Sequence, residues 1–248
     1  MRITITMHSD RDIILPVHYH HILQGFLYTH ISDRDYREFL HQEGFGCGKR
    51  KFKLFTFSRL QGTFKLDQDK NYITFKSPVD ITVASPLEPF ITDLAETLMK
   101  SDELYLGSNR LQLKSINVHK PVVFKEKMRI KMMSPVVAHT TEEINGKRRT
   151  TYFSPWDVPF DSLILSNLNK KYWILKGKYP EGDLKVVPCD SHKDKFLKII
   201  RYKNFIIKGY LGNYYLVGDP ELMEIAYYTG LGAKNSQGFG CFEVEGVR

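Results

Sequence analysis

The 248 residues suffice for one large domain or two of ordinary size, and a 42% hydrophobic content supplies a core. No apolar run approaches the ~20 residues of a membrane-spanning helix, and the N-terminal Met1-Arg2-Ile3-Thr4-Ile5-Thr6-Met7 alternates too strictly to read as a signal peptide. Three scattered cysteines, Cys47, Cys189 and Cys241, argue against a disulfide framework or a zinc site and fit a reducing cytoplasm. The net charge of +8 is concentrated, because residues 146–210 hold 14 Lys/Arg against 6 Asp/Glu and the rest of the chain is neutral. Such clustering fits either a phosphate-backbone surface or a solvated basic face.

Residues 2–7 alternate as a strand. A helix is predicted over 17–31 and a shorter one over 33–42, the second opened by a capping-box pattern at Ser32 and Asp35. At 100° per residue, Tyr19, Leu23, Phe26, Leu27 and His30 share the apolar face of the first helix, which leaves Tyr28 with Gln24 and His21 on the opposite, wet face. His41 likewise stands off the face formed by Tyr36, Phe39, Leu40 and Glu43. An aromatic ring and an imidazole that avoid the core are free to serve a site.

Strands are predicted over 52–59, 72–75 and 80–84. Ser85-Pro86-Leu87-Glu88 then marks a helix start, with a Ser cap, Pro at the first position and Glu at the third. Phe90, Ile91, Leu94, Ala95, Leu98 and Met99 continue it as a 3.6-period stripe, and 111–119 returns to strand. The order β-α-β-β-α-β is the ferredoxin-like plan. Past Pro121 the pattern repeats, with a strand over 127–132, a polar and basic stretch over 140–153 that reads as loop, and a helix over 160–173. Strands over 195–201, 204–208 and 214–217, a helix over 220–229 and a strand over 241–245 complete it. The fold class is therefore α+β, two tandem ferredoxin-like (RRM-like) domains over 1–122 and 123–248. That fold hosts many functions.

Between the last helix and strand lies Gly230-Leu231-Gly232-Ala233-Lys234-Asn235-Ser236-Gln237-Gly238-Phe239-Gly240. Four glycines around a polar tip describe a tight αβ connection, or a loop whose backbone can approach a polyanion. Helix, glycine loop and terminal strand, in that order, resemble the ending of the RAMP superfamily of CRISPR-associated RNA-binding proteins. Leu15-Pro16-Val17, Leu23-Gln24-Gly25-Phe26-Leu27-Tyr28, Phe39-Leu40-His41 and Lys53-Leu54-Phe55-Thr56-Phe57-Ser58 narrow the likeness to the endoribonucleases that process precursor CRISPR RNA. With the glycine loop, the similarity spans almost the whole chain.

That resemblance implies an active site of Tyr28, His41 and Lys53 and one cut within each repeat of the precursor transcript. It implies RNA contacts from Gly230, Gly232, Lys234, Asn235, Gly238 and Gly240, and from Lys147, Arg148, Arg149, Lys170, Lys171, Arg201 and Lys203 of the basic half. Tyr152, Tyr172, Trp173 and Tyr202, interleaved with these, are candidates to stack unpaired bases. Other subunits of a CRISPR effector complex and a second copy of the chain are further implied partners. Within the same superfamily the alternative is a non-catalytic subunit that only holds RNA.

RNA carries its own nucleophile, the 2′-hydroxyl beside the scissile phosphate, so the reaction needs no metal and no cofactor. A base takes the 2′-proton, an acid protonates the leaving 5′-oxygen, and a cation meets charge building on phosphorus. A histidine serves either proton role near neutral pH, a tyrosine orients the hydroxyl or acts as base, and either order of Tyr28 and His41 is open. The products would be a 2′,3′-cyclic phosphate and a 5′-hydroxyl. A glycine-rich basic segment precedes Lys53, so Lys49, Arg50 and Lys51 are rival cations, and His21 is a reserve acid or base. His30 reads as core, while His8, His119, His139 and His192 are scattered. His18, His20 and His21 crowd one helix start without the Cys or carboxylate neighbours of a tetrahedral metal set.

Overall fold

The alternating segment Arg2–His8 turns Ile3, Ile5 and Met7 inward and becomes the middle strand of a five-stranded antiparallel sheet. Its order is Thr56–Phe57, Val79–Ala84, Arg2–His8, Asn109–Val118, Leu104–Leu106. Leu23, Phe26 and Leu27 of the helix His20–Thr29 and Phe90, Ile91, Leu94 and Leu98 of the helix Glu88–Lys100 close one core over it. This computed structural model describes residues 1–67, 69–191 and 193–246; His192 lies outside the described residues.

The second half repeats the topology. Its antiparallel sheet runs Leu184–Pro188, Asn213–Gly218, Lys127–Met132, Phe242–Val244, and the helices Pro159–Lys176 and Pro220–Thr229 complete a separate core. Counting only the strands of the β-α-β-β-α-β plan, both sheets read second, third, first, fourth, the ferredoxin-like arrangement expected from the repeated element order.

Several predicted elements fall elsewhere. The strand Tyr72–Phe75 joins a three-stranded sheet with Ile13–Pro16 and Phe64–Asp67 instead of the main sheet. The predicted strand over 52–59 is broken. Arg50–Phe52 pairs with Phe45–Cys47, Leu54 turns the chain at φ 55°, and Thr56–Phe57 then enters the main sheet. The Ser85 hydroxyl holds that turn by donating to the Leu54 carbonyl at 2.7 Å, and it accepts from the Leu87 N–H, so the following helix starts at Glu88. Met99, assigned to its apolar stripe, is exposed. The cap of the second short helix is Asp33, which accepts from the Tyr36 N–H at 3.0 Å, while the Ser32 hydroxyl bonds Asp93.

In the second half the strand beside Asn213–Gly218 is Leu184–Pro188, an edge strand ending in proline. The predicted strands over 195–201 and 204–208 instead form a separate hairpin, Leu197–Tyr202 with Phe205–Tyr210. Residues 140–153, read as loop, form a second hairpin, Ala138–Ile144 with Lys147–Phe153. The Tyr152 hydroxyl donates to the Ile206 carbonyl at 2.9 Å and ties the two hairpins together.

The halves meet along the Thr56–Phe57 edge. The Thr56 hydroxyl donates to the Phe239 carbonyl at 3.1 Å, and Cys47, Phe52 and Leu54 pack against Ile174 and Leu175. His20 lies in this seam, its ring stacked on Phe239 at 5.1 Å and beside Tyr19 at 5.6 Å, with neither ring nitrogen hydrogen-bonded. Burial, assisted by Arg59, His18 and His21, pulls its pKa down to about 3. Because the folded value lies below the ordinary 6.5, the unfolded chain takes up this proton first. The stability that neutral His20 confers is complete above pH 6.5 and is lost as pH falls towards 3. Between pH 6.5 and 4.5 wild type should therefore lose on the order of 2–3 kcal/mol more than His20→Phe. Parallel denaturant unfolding of both proteins at the two pH values checks this.

Candidate active site

Three side chains from separate elements reach one cleft. Tyr28 comes from the helix His20–Thr29, His41 from the π-helical turn Phe39–Glu43, and Lys53 from the segment between Arg50–Phe52 and Thr56–Phe57. The π turn inserts one extra residue into the helical repeat, a device frequent at functional sites, and here it presents His41 to solvent. The Tyr28 and His41 rings lie 5.7 Å apart, edge to face. Gly44, at φ 67°, closes the turn, and a Cβ there would stand 2.8 Å from Lys53 Cδ and 3.1 Å from Nζ. The Phe52 carbonyl oxygen would be nearer still, at 2.5 Å, so the missing side chain is what lets the Phe52–Lys53 backbone pass against the His41 turn.

Tyr28 departs from the wet-face expectation, being only 8% exposed. Its ring joins the first core, edge-on to Phe55 at 5.9 Å and closed over by the His41 turn, while the neighbouring Gln24 meets the second half. Gln24 donates to the Ser236 carbonyl at 2.6 Å and accepts from the Tyr202 hydroxyl. The Tyr28 hydroxyl donates weakly to the Leu40 carbonyl at 3.4 Å, and burial, with Tyr202 and Tyr36 nearby, raises its pKa, so it stays a neutral phenol. Burial foremost, then the Lys51 charge, lowers the Lys53 ammonium, with Glu43 opposing.

The cleft has a volume of about 1090 Å³, and its lining includes Arg148, Arg149, Lys203, Lys208 and Lys234. An adjoining pocket of about 550 Å³ shares Lys53, His139 and Lys234 with it and adds Arg50 and Lys51. Lys53 is thus the cation on the His41 side, with Lys51 next door and Lys49 in neither lining. His21 is outside both linings, its Nδ1 3.1 Å from the His18 carbonyl and its ring edge-on to Tyr202. His30 is half-buried, its Nδ1 2.7 Å from the Phe26 carbonyl.

A sequence model of the C-terminal part of the CRISPR-associated protein Cas6 matches residues 117–244, slightly more than half of the chain. The chain belongs to the Cas6 family. It is 27% identical to CRISPR-associated endoribonuclease Cas6 1 of Methanocaldococcus jannaschii over 97% of this chain and 91% of that one. It is 26% identical to CRISPR-associated endoribonuclease Cas6 of Pyrococcus furiosus over 96% and 86%. A solved Cas6-related protein of P. furiosus superposes with a TM-score of 0.86 over 100% of this chain and 99% of that one at 20% identity, a likeness of fold.

The glycine loop of this Cas6 family member is built on its own packing. Gly230, Gly232, Gly238 and Gly240 all have φ between 74° and 87°, a region costly for side-chain-bearing residues. A Cβ on Gly238 would meet the Phe57 ring at 2.6 Å. Lys171, expected on an RNA-facing surface, is 2% exposed and sits beneath the loop. Its ammonium donates to the Gly230 and Gly232 carbonyls at 2.7 and 3.2 Å and to Asn235 Oδ1 at 2.7 Å. Asn235 is buried too, its amide bonding the Leu231 and Phe239 carbonyls. Lys234, half-buried at φ 62°, lines the cleft with Ser236 and Gln237.

The remaining basic residues divide. Lys147 lies exposed at a hairpin tip, Lys170 bonds the Ser166 hydroxyl, and Arg201 lines a separate groove with His18 and Asn71. Among the aromatics, Tyr152 and Tyr202 line the cleft, Tyr172 is buried with its hydroxyl on Glu221, and Trp173 lies outside. His139, unremarkable by spacing, lines both pockets, and burial together with Lys234 and Arg50 lowers its pKa to about 4. Only the hairpin pairing, which no local pattern announces, brings it there.

Proposed function

We propose that this chain is a metal-independent endoribonuclease that cuts precursor CRISPR RNA within the repeat, leaving a 2′,3′-cyclic phosphate and a 5′-hydroxyl. The observation that carries this reading is the convergence of Tyr28, His41 and Lys53 on one cation-lined cleft. An acid–base side chain beside a hydroxyl and an ammonium is the set that 2′-hydroxyl attack requires. His41 supplies the proton to the departing 5′-oxygen. Tyr28, kept protonated by burial, orients the 2′-hydroxyl, whose proton passes to water. Lys53 faces the charge on the phosphorane. Residues 1–122 carry this chemistry, while 123–248 contribute the cations Arg148, Arg149, Lys203 and Lys234 that hold the phosphate backbone. A subunit that only held RNA would have no use for the Tyr28–His41–Lys53 grouping.

The test is incubation with the cognate repeat RNA in EDTA, followed by mapping of the ends. Cleavage should persist, and should stop when the scissile 2′-hydroxyl is replaced by hydrogen. Loss of cleavage in EDTA with the RNA still bound would refute the mechanism.

A further inference from the structure

The hairpin Leu197–Tyr202/Phe205–Tyr210 presents Ile200, Tyr202, Phe205 and Ile207 on one face by its register. Three of these are covered: Ile207 is 1%, Tyr202 5% and Ile200 7% exposed, packed with Val137 and Phe239. Phe205, paired directly with Tyr202, is 70% exposed and has no ring partner among the described residues. It lines the cleft that holds Tyr28 and His41, with Lys203 and Lys208 on its own hairpin and Arg148 and Arg149 on the neighbouring one. The turn itself gives no reason for a ring there. Lys203 takes the left-handed conformation, φ 52°, and such turns favour Gly, Asn or Asp. A phenyl group left in water, on a face whose other members are buried, lacks the partner that would cover it.

We propose that Phe205 is a stacking platform for an unpaired base of the RNA, so that the strand enters this part of the cleft single-stranded. The proposal rests on the reading of the cleft as an RNA site. The charge of the cleft selects the occupant: four cations line it together with this one exposed apolar ring, which matches a nucleotide with its phosphates on the cations and its base on the ring. A duplex cannot use this arrangement, because its bases already stack on one another and present only edges to a groove.

The experiment measures binding of the repeat RNA by Phe205→Ala, by Phe205→Tyr and by the Arg148→Glu/Arg149→Glu double variant. The RNA is used single-stranded, annealed to its complement, and with 2-aminopurine at successive positions. Phe205→Ala should weaken single-stranded binding about 5- to 150-fold, the usual worth of one base–aromatic stack. The slope of affinity against salt should not change, since no phosphate contact is lost. Phe205→Tyr should restore affinity, and annealed RNA should not distinguish Phe205→Ala from wild type. One 2-aminopurine position should be quenched on binding to wild type and not to Phe205→Ala. Wild-type affinity of Phe205→Ala for single-stranded RNA, or an equal loss on annealed RNA, overturns the proposal. If the Arg148/Arg149 variant still loses affinity with a reduced salt slope, the RNA-cleft reading stands without the stack. If neither variant matters and no cleavage occurs, that reading falls as well.

Discussion

Replacing His41 by alanine lowers the single-turnover cleavage rate by about 10²–10⁴-fold, the usual worth of one positioned acid or base, while RNA affinity stays near wild type. The side chain is exposed on its π turn and its ring meets Tyr28 edge-on at 5.7 Å, so its removal disturbs little packing. On the proposed reading, binding rests on the cations of the cleft, none of which is altered. The comparison with Tyr28→Phe separates the roles. A phenol that only orients is worth less than the group that moves the proton, so Tyr28→Phe should be the milder change. His41→Ala with near wild-type rate would show that another group transfers the proton. His21→Ala tests the reserve candidate, and its position outside the cleft lining predicts little effect.

Lys171→Met should cost about 2–4 kcal/mol of stability and weaken RNA binding, although Lys171 has no route to the RNA. Burial pulls the pKa of its ammonium down to about 7, and three neutral oxygens within 3.2 Å satisfy it. A methionine fills similar space but leaves the Gly230 and Gly232 carbonyls and the Asn235 amide oxygen without this donor, at about 1–3 kcal/mol for each group left unsatisfied. Relief of the ammonium's own desolvation offsets part of that sum. The loop then loses the strut that sets Lys234 and Ser236 in the cleft, and Gln24 loses a fixed partner at the Ser236 carbonyl. Urea unfolding and RNA titration of the purified variant measure the two effects. Wild-type stability would mean that the loop stands without the buried ammonium.

Elements whose burial is decided locally were legible without coordinates. The helix Pro220–Thr229 and the strand Lys127–Met132 begin and end where the pattern places them, since Asp219 caps the helix by accepting from the Glu221 N–H and the strand alternates. The grouping of Tyr28, His41 and Lys53 was named through the family resemblance that their short motifs carry, and the structure brings the three to one cleft.

What periodicity could not see is the second partner of an element. The helix His20–Thr29 has one apolar stripe, yet His20 is buried off it because Phe239 of the second half stacks there, and Tyr28 because Phe55 and the His41 turn close over its ring. Lys171 was indistinguishable from the adjacent Lys170 until the loop after residue 229 folded over it. Strand pairing was equally hidden: the alternation over 195–208 is real, but cross-strand hydrogen bonds carry no local code for which sheet they join. The sequence by itself thus determined the repeated fold and offered the candidates for the reacting groups. Only the tertiary packing, within each half and between them, decided what is covered, and it left Phe205 bare in the cleft.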